Sequence, residues 1–338
     1  MEGYYFIGID VSKKNLDCCF FYNGTVVKQD VIVNNQSSIE NYLSAICTEQ
    51  DIESEQLIIC AEYTGLYIYP LVLACQKTEY KLWMEDPTQI KYSSGLQRGK
   101  NDTIDAKRIA VYAYRYIDRL KVYQRPSISI ESLKLLSAEL NMLCIDKAKY
   151  KAQLSDQKEY MPDNVYKTKS KRLSLLMKEL DKAIDSIETE IENIVNKDNL
   201  LSHQMKLLLS IEGIGKKTSL KMILETQAFT KFTDSRKFCC HAGVAPFSYL
   251  SGSSQHSKNR VSQRANKSIK TLLHLASLSA LQRKDSELRT YYDRKIAEGK
   301  NNMSVLNAIR AKLIARMFAV IRNDNHYQLN YKNKYALN

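Results

Sequence analysis

The chain has 338 residues, 44% hydrophobic and 9% aromatic, which excludes a disordered polymer and provides for two or three domains with real cores. Its formal charge is +13, and between His256 and Asp324 there are 15 Lys/Arg against 5 Asp/Glu, which suits either a nucleic-acid partner or a generally basic, solvated surface. No run nears the ~18–20 apolar residues of a membrane span, MEGYYFIGID is not a signal peptide, and the eight cysteines show no CxxC spacing, so the expectation is a reducing cytoplasm without zinc or a membrane partner.

In chain order, Tyr4 to Val11 is an apolar run ending in Asp10, followed by NLDCCFFY and TVVKQDVIV. Asn23-Gly24 between the last two is a strong hairpin signal, so three antiparallel strands are expected. A helix through Ser38 to Cys47 leads to QLIICAEY, a strand ending at Glu62, and YKLWMED is another, stopped by Pro87. A helix opening at Asp102 keeps apolar residues at Ala106, Ile109, Ala113, Tyr116 and Leu120. Strands followed by alternating helix and strand predict an α/β domain over 1–126, a mixed sheet flanked by helices.

Over 127–200 the character changes to a helical, coiled-coil arm. Leu173, Leu176, Leu180, Ile184, Ile187, Ile191 and Ile194 form one stripe, half of a long antiparallel pair broken near Met161-Pro162; the length and charged flanks favour an arm or dimerisation element over a stripe that packs on its own domain. A mainly helical domain over 201–325 opens with LLLSIEGIGKKTSLKMILE. Gly213 and Gly215 there suggest a helix-hairpin-helix whose backbone N–H groups hold a phosphate, with Lys216 and Lys217 beside them; the plain alternative is a tight helix–helix turn. The tail, 326–338, is expected to pack poorly.

The stretch GKNDTIDAKRIA reads locally as a capping box, an Asx at the helix start with an acid three residues on. Asp10 and Glu62 at strand ends offer a second reading, because strand ends in a mixed sheet converge and bring Asp10, Glu62, Asp102 and Asp105 together. Four such carboxylates repel one another unless a divalent cation neutralises them, and Mg²⁺ prefers oxygen ligands. Two such ions about 3.5–4 Å apart suit phosphodiester chemistry.

FIGIDVSKKNLD, AEYTGLYIYPL, DPTQIK and GKNDTIDAKRIA, in that order and spacing, resemble the DEDD transposase family of IS-one-ten type insertion sequences. The resemblance resumes at IEGIG and continues through FCCHAGVAPFSYLSGSSQHSKNRVSQRANKSIKTLLHLAS. It implies a ribonuclease-H-like catalytic domain similar to RuvC-type resolvases, with the tetrad on Asp10, Glu62, Asp102 and Asp105 binding Mg²⁺ (two ions, or Mn²⁺). It further implies a nucleophile at Ser251, which joins covalently to DNA, with Ser248, Ser253 and Ser254 as competitors. Asp86 stands where the family often has Asn, and Asn101 where it often has Thr.

The implied partners are double-stranded DNA at the element ends and target, an element-encoded guide RNA, and further copies of the chain as a dimer or tetramer, in a nucleoid-associated setting. Arg98, Lys100, Lys216, Lys217, Lys258, Arg260, Arg264 and Lys267 are the candidate nucleic-acid contacts, and Lys258, Arg260 and Arg264 would stabilise charge on phosphate. Ser251 lies 146 residues beyond Asp105 with a helical arm between, which leaves both arrangements open, the two halves of the site in one subunit or in different subunits. His241 and His256 flank the serine loop and receive no catalytic role. The competing functions are a resolvase that hydrolyses with water and leaves no protein attached, a non-enzymatic nucleic-acid scaffold, and an actin-like sugar kinase. Only 11 glycines, with no nucleotide-loop cluster, argue against the kinase.

Overall fold

YFIGIDV, NLDCCFFY and TVVKQDVIV form β1 (Tyr5–Val11), β2 (Asn15–Tyr22) and β3 (Thr25–Val33). Asn23 and Gly24, with φ of 47° and 82°, close β2 onto β3 in the backbone region that two-residue hairpins require. The computed structural model describes residues 3–63, 65–93, 95, 101–247, 250–251, 255–256, 260–261, 265–283 and 285–329; for 247, 250, 251, 255, 256 and 260 only the backbone is described. Residues Met1–Arg125 and Pro126–Asn338 form two compact units.

In the first unit, α1 (Gln36–Gln50), β4 (Leu57–Glu62), α2 (Tyr69–Lys77), β5 (Lys81–Glu85), α3 (Pro87–Ser93) and α4 (Asp102–Arg115) follow the three strands. The sheet order is β3-β2-β1-β4-β5, antiparallel through β3, β2 and β1 and parallel through β1, β4 and β5. This mixed sheet has the strand order of the ribonuclease-H-like fold. Because side chains alternate along a strand, each face carries its own core. Ile7, Ile9, Leu16, Phe20 and Ile59 pack under Leu43 of α1 and Leu71 of α2. Phe6, Cys19, Phe21, Ile58, Cys60 and Trp83 pack under Ala106, Ile109, Ala110 and Ala113 of α4. Gly8 lets α4 approach, since a Cβ there would lie 2.2 Å from Ala110 N and 2.3 Å from Ala106 O.

Two expectations are corrected here. The α4 cap is Asn101, whose side chain accepts from Thr103 N, so neither aspartate is the cap residue and both lie inside the first turn. The helix also stops at Arg115, and a separate 3-10 turn covers Ile117–Arg119.

In the second unit, α5 (Ile128–Gln157) and α6 (Asp163–Lys197) are antiparallel: Tyr166 Oη donates to Leu154 O at 3.1 Å, and Lys147 pairs with Asp181. The apolar stripe of α6 is buried only near its base, at Ile187 and Ile191, whereas Leu176 is 51% exposed. Only the base packs into the core shared with the helices that follow. These are α7 (Asn199–Leu209), α8 (Lys216–Thr226), α9 (Ser235–His241), α10 (Lys267–Ala280), α11 (Glu287–Ala297) and α12 (Asn302–Asn323), with Ile309, Leu313, Ile314 and Met317 of α12 at the centre. Between α9 and α10 lie two antiparallel pairs of short strands, β6 (Pro246–Phe247) with β9 (Arg260–Val261) and β7 (Leu250–Ser251) with β8 (Gln255–His256). Among the described residues, no helix is long and apolar enough to cross a membrane.

Candidate active site

Asp10 lies directly opposite Asp17 of β2, and Glu62 opposite Glu85 of β5. Asp10 and Glu62 each follow the Ile9–Ala61 pair on the parallel strands β1 and β4. By strand alternation Asp17, Asp10, Glu62 and Glu85 share the face that carries Gly8 and Cys60, which is the face covered by α4. Asp102 and Asp105 occupy the first turn of that helix, where the macrodipole favours negative charge. The fold therefore brings all four expected acids to one side of the sheet and adds Asp17 and Glu85.

The electrostatics reflect this crowding. Burial first, then the charges of Asp102, Asp105 and Asp17, push the Asp10 carboxyl up from 3.8 to about 6. Burial, then Asp102, also raises Asp17, against the effect of a hydrogen bond donated by Thr103 Oγ1 at 3.4 Å. Other acids of this face have partners as well. Arg108 Nη1 meets Asp105 Oδ1 at 2.5 Å, and Glu85 Oε2 accepts from Tyr112 Oη at 2.9 Å.

All these donors are oxygens, the repulsion at Asp10 is incompletely relieved, and a guanidinium sits where a cation is needed at Asp105. In charge and donor type the residues fit a hard divalent ion. Among the described residues, no three His, Cys, Asp or Glu side chains are grouped closely enough to hold a metal ion.

Sequence reasoning missed Asp17, although it closes FIGIDVSKKNLD: the short β1–β2 connection makes it the mirror position of Asp10. Asp86, the departure from Asn, does an asparagine's work, since its Oδ1 accepts from Thr88 N at 2.7 Å at the start of α3.

Ser251 is paired through its backbone with Gln255, and Arg260 with Phe247. Ser248, Ser253, Ser254, Arg98, Lys100, Lys258 and Arg264 lie outside the described residues. The roots of the serine segment are held together by Glu225 of α8. Its carboxylate accepts from Asn266 Nδ2 at 2.9 Å, and it pairs with Lys221 at 2.7 Å and His241 at 3.2 Å, while Asn266 N donates to His241 O. Burial alone would raise the Glu225 pKa; His241 and Lys221 overcome it and hold it at about 2. Here His241 has a structural partner that the sequence did not suggest.

Gly213 takes φ of +78° between α7 and α8, and a Cβ there would lie 2.5 Å from Ala276 O. Gly215 precedes α8 with open space around it. Lys216 and Lys217 are not unopposed cations: they pair with Glu192 at 2.6 Å and Glu188 at 3.3 Å, both on α6. Lys267 opens α10 on the surface.

Strand order, strand directions and a carboxylate at the end of β1 define the class of the first unit, a ribonuclease-H-like α/β domain with an acidic face. A family model for transposases of the DEDD, IS110 type matches residues 7–160, and one described as "Transposase IS116/IS110/IS902 family" matches residues 205–293. The chain belongs to this transposase family, and it is an enzyme of the DNA transposase and recombinase class. It is 24% identical over 328 residues to the "Pilin gene-inverting protein" of Moraxella bovis, covering 95% of this chain and 97% of that one. It is also 25% identical over 159 residues to an "Insertion element IS110 uncharacterized 43.6 kDa protein" of Streptomyces coelicolor, covering 44% of this chain and 39% of that one. Among solved structures, T. thermophilus RuvC in complex with a Holliday junction substrate matches at 11% identity and a TM-score of 0.28, over 34% of this chain and 95% of that one. Strand order, not this likeness, defines the fold.

Proposed function

We propose that the chain excises and inserts its own element by DNA strand exchange, with Asp10, Glu62, Asp102 and Asp105 as the acidic half of the site and Ser251 as the nucleophile. The observation that carries the proposal is the gathering of these four acids on the α4 face of the sheet in a chain of the transposase family. The four carboxylates would hold Mg²⁺, which when bound neutralises them and supplies Lewis-acid stabilisation of charge at the phosphodiester. Ser251 Oγ forms the bond to phosphorus as the bond to the departing strand oxygen breaks, and the serine proton leaves with that oxygen as a hydroxyl. The resulting ester keeps the phosphodiester energy for rejoining, so no ATP is needed. Lys258, Arg260 and Arg264 are assigned to the phosphate, and the turn at Gly215, with Lys216 and Lys217, to a DNA or RNA backbone phosphate. Both lysines can exchange their exposed ion pairs for phosphate, because such pairs contribute only about 0–1 kcal/mol.

Double-stranded DNA is the substrate. An RNA transcribed from the element selects the sites, and the α5–α6 pair serves as a coiled-coil arm that joins copies of the chain. The similarity to the pilin gene-inverting protein of Moraxella bovis favours site-specific exchange over a resolvase that only hydrolyses. The test is recombination in cells between the element's junction and candidate targets. Wild type should yield joined products, and Asp102→Ala and Ser251→Ala should yield none; undiminished joining by either variant refutes that residue's role. Selective, salt-resistant capture of flanking transcripts by the purified protein tests the RNA.

A further inference from the structure

A cleft of about 360 Å³ opens on the outer side of α4, and its floor is built by the helix itself. Lys107, Arg108 and Arg115 bring three cations to it within just over two turns, with Ile104 and Val111 as apolar surface and Ser93 of α3 as the wall. Among the described residues lining the cleft, none is acidic. The volume lies at the low end of the roughly 300–1,000 Å³ typical of ligand sites, room for a nucleotide-sized group rather than a large ligand. The cleft is also attached to the acids: Arg108, which lines it, reaches back one turn to Asp105 at 2.5 Å.

We propose that this cleft binds the sugar–phosphate backbone of a single nucleic-acid strand and leads it to the acidic face. Lys107 and Arg115 hold phosphates, Ile104 and Val111 pack on sugars, and Arg108 is shared between the strand and Asp105. At about 1.5 Å per residue, Arg115 stands roughly 15 Å along the helix axis from Asp105, about four nucleotides of a stacked strand at ~3.4 Å each. A strand phosphate drawing Arg108 away from Asp105 frees that carboxylate for a cation, so strand and metal favour each other's binding. The proposal rests on the strand-exchange reading only for the destination of the strand; binding itself does not require that reading.

The test is fluorescence anisotropy of a labelled single-stranded oligonucleotide with the full chain in EDTA, across a salt series, so that no chemistry contributes. Lys107→Gln/Arg115→Gln should weaken binding about tenfold or more and reduce the salt slope by about 1.4, the loss of two phosphate contacts on a single strand. Both side chains belong to exposed residues, so the melting temperature should not move. The matched control, Lys28→Gln/Lys77→Gln, changes cations on β3 and on α2, which covers the opposite face of the sheet, and should leave binding unchanged. Unchanged affinity and slope in the cleft variant, or an equal loss in the control, overturns the proposal. Failure of strand exchange with strand binding intact would instead count against the acid site or Ser251.

Discussion

Asp10→Asn should stabilise the metal-free protein while abolishing its chemistry. A carboxyl raised from 3.8 to about 6 is 2.2 pH units harder to ionise in the folded chain, and at about 1.36 kcal/mol per unit this amounts to roughly 3 kcal/mol. Partial exposure of Asp10 screens its neighbours, so the gain should lie between about 1 and 3 kcal/mol. The sign follows from proton counting. Between pH 3.8 and about 6 the folded state binds more protons at Asp10 than the unfolded state, so this group lowers stability as pH rises through that window. The amide carries no charge and escapes the penalty. In EDTA at pH 7.5 the variant should melt several degrees above wild type, and near pH 4.5 the advantage should shrink to about a third. Added Mg²⁺ should raise the wild-type melting temperature more than that of the variant. An unchanged or lower melting temperature at pH 7.5, or an advantage independent of pH, would refute the electrostatic reasoning.

Gly8→Ala places a methyl group 2.2 Å from Ala110 N, so α4 must lift from β1; we expect a loss of about 3 kcal/mol or more by denaturant titration, and loss of recombination as the first turn of α4 moves. Glu225→Ala strands Lys221, His241 and Asn266 and should cost about 3 kcal/mol at neutral pH. Because the folded pKa of Glu225 is depressed to about 2, its contribution is present above about pH 4.5 and is lost as pH falls from there toward about 2; Lys134 of α5, whose ammonium burial and Lys231 disfavour, also loses the support of this carboxylate. Lys216→Gln/Lys217→Gln should change the melting temperature very little, yet weaken DNA binding severalfold and lower the salt slope.

Much of the sheet was legible because its signals are local. NLDCCFFY and TVVKQDVIV are strands over their whole quoted length, and Asn23-Gly24 closes them. Asp10 and Glu62 stood out as acids ending apolar runs, whereas Asp17 and Glu85 lie within patterns that read as ordinary strand residues. Their significance appears only with register, which pairs Asp17 with Asp10 and Glu85 with Glu62. The start of α4 at Asp102 was legible, but its cap was displaced by one residue because Asn101 and Asp102 are both competent caps; the backbone settles the choice, with Asn101 extended at ψ 138°. The strands around Ser251 were not legible, since two-residue strands have no period to detect. The Glu225 clasp joins residues 16 and 41 positions away, and no local pattern encodes such a contact.

The central claim is that the acids on the α4 face and Ser251 act together on one phosphodiester. The most direct measurement is a denaturing gel of end-labelled junction DNA incubated with the protein. Wild type with Mg²⁺ should give a protein-linked DNA band that protease removes, and EDTA, Glu62→Gln and Ser251→Ala should each abolish it. A protein-linked band persisting in Ser251→Ala or Glu62→Gln, or cleavage by wild type with no protein attached, would contradict the account.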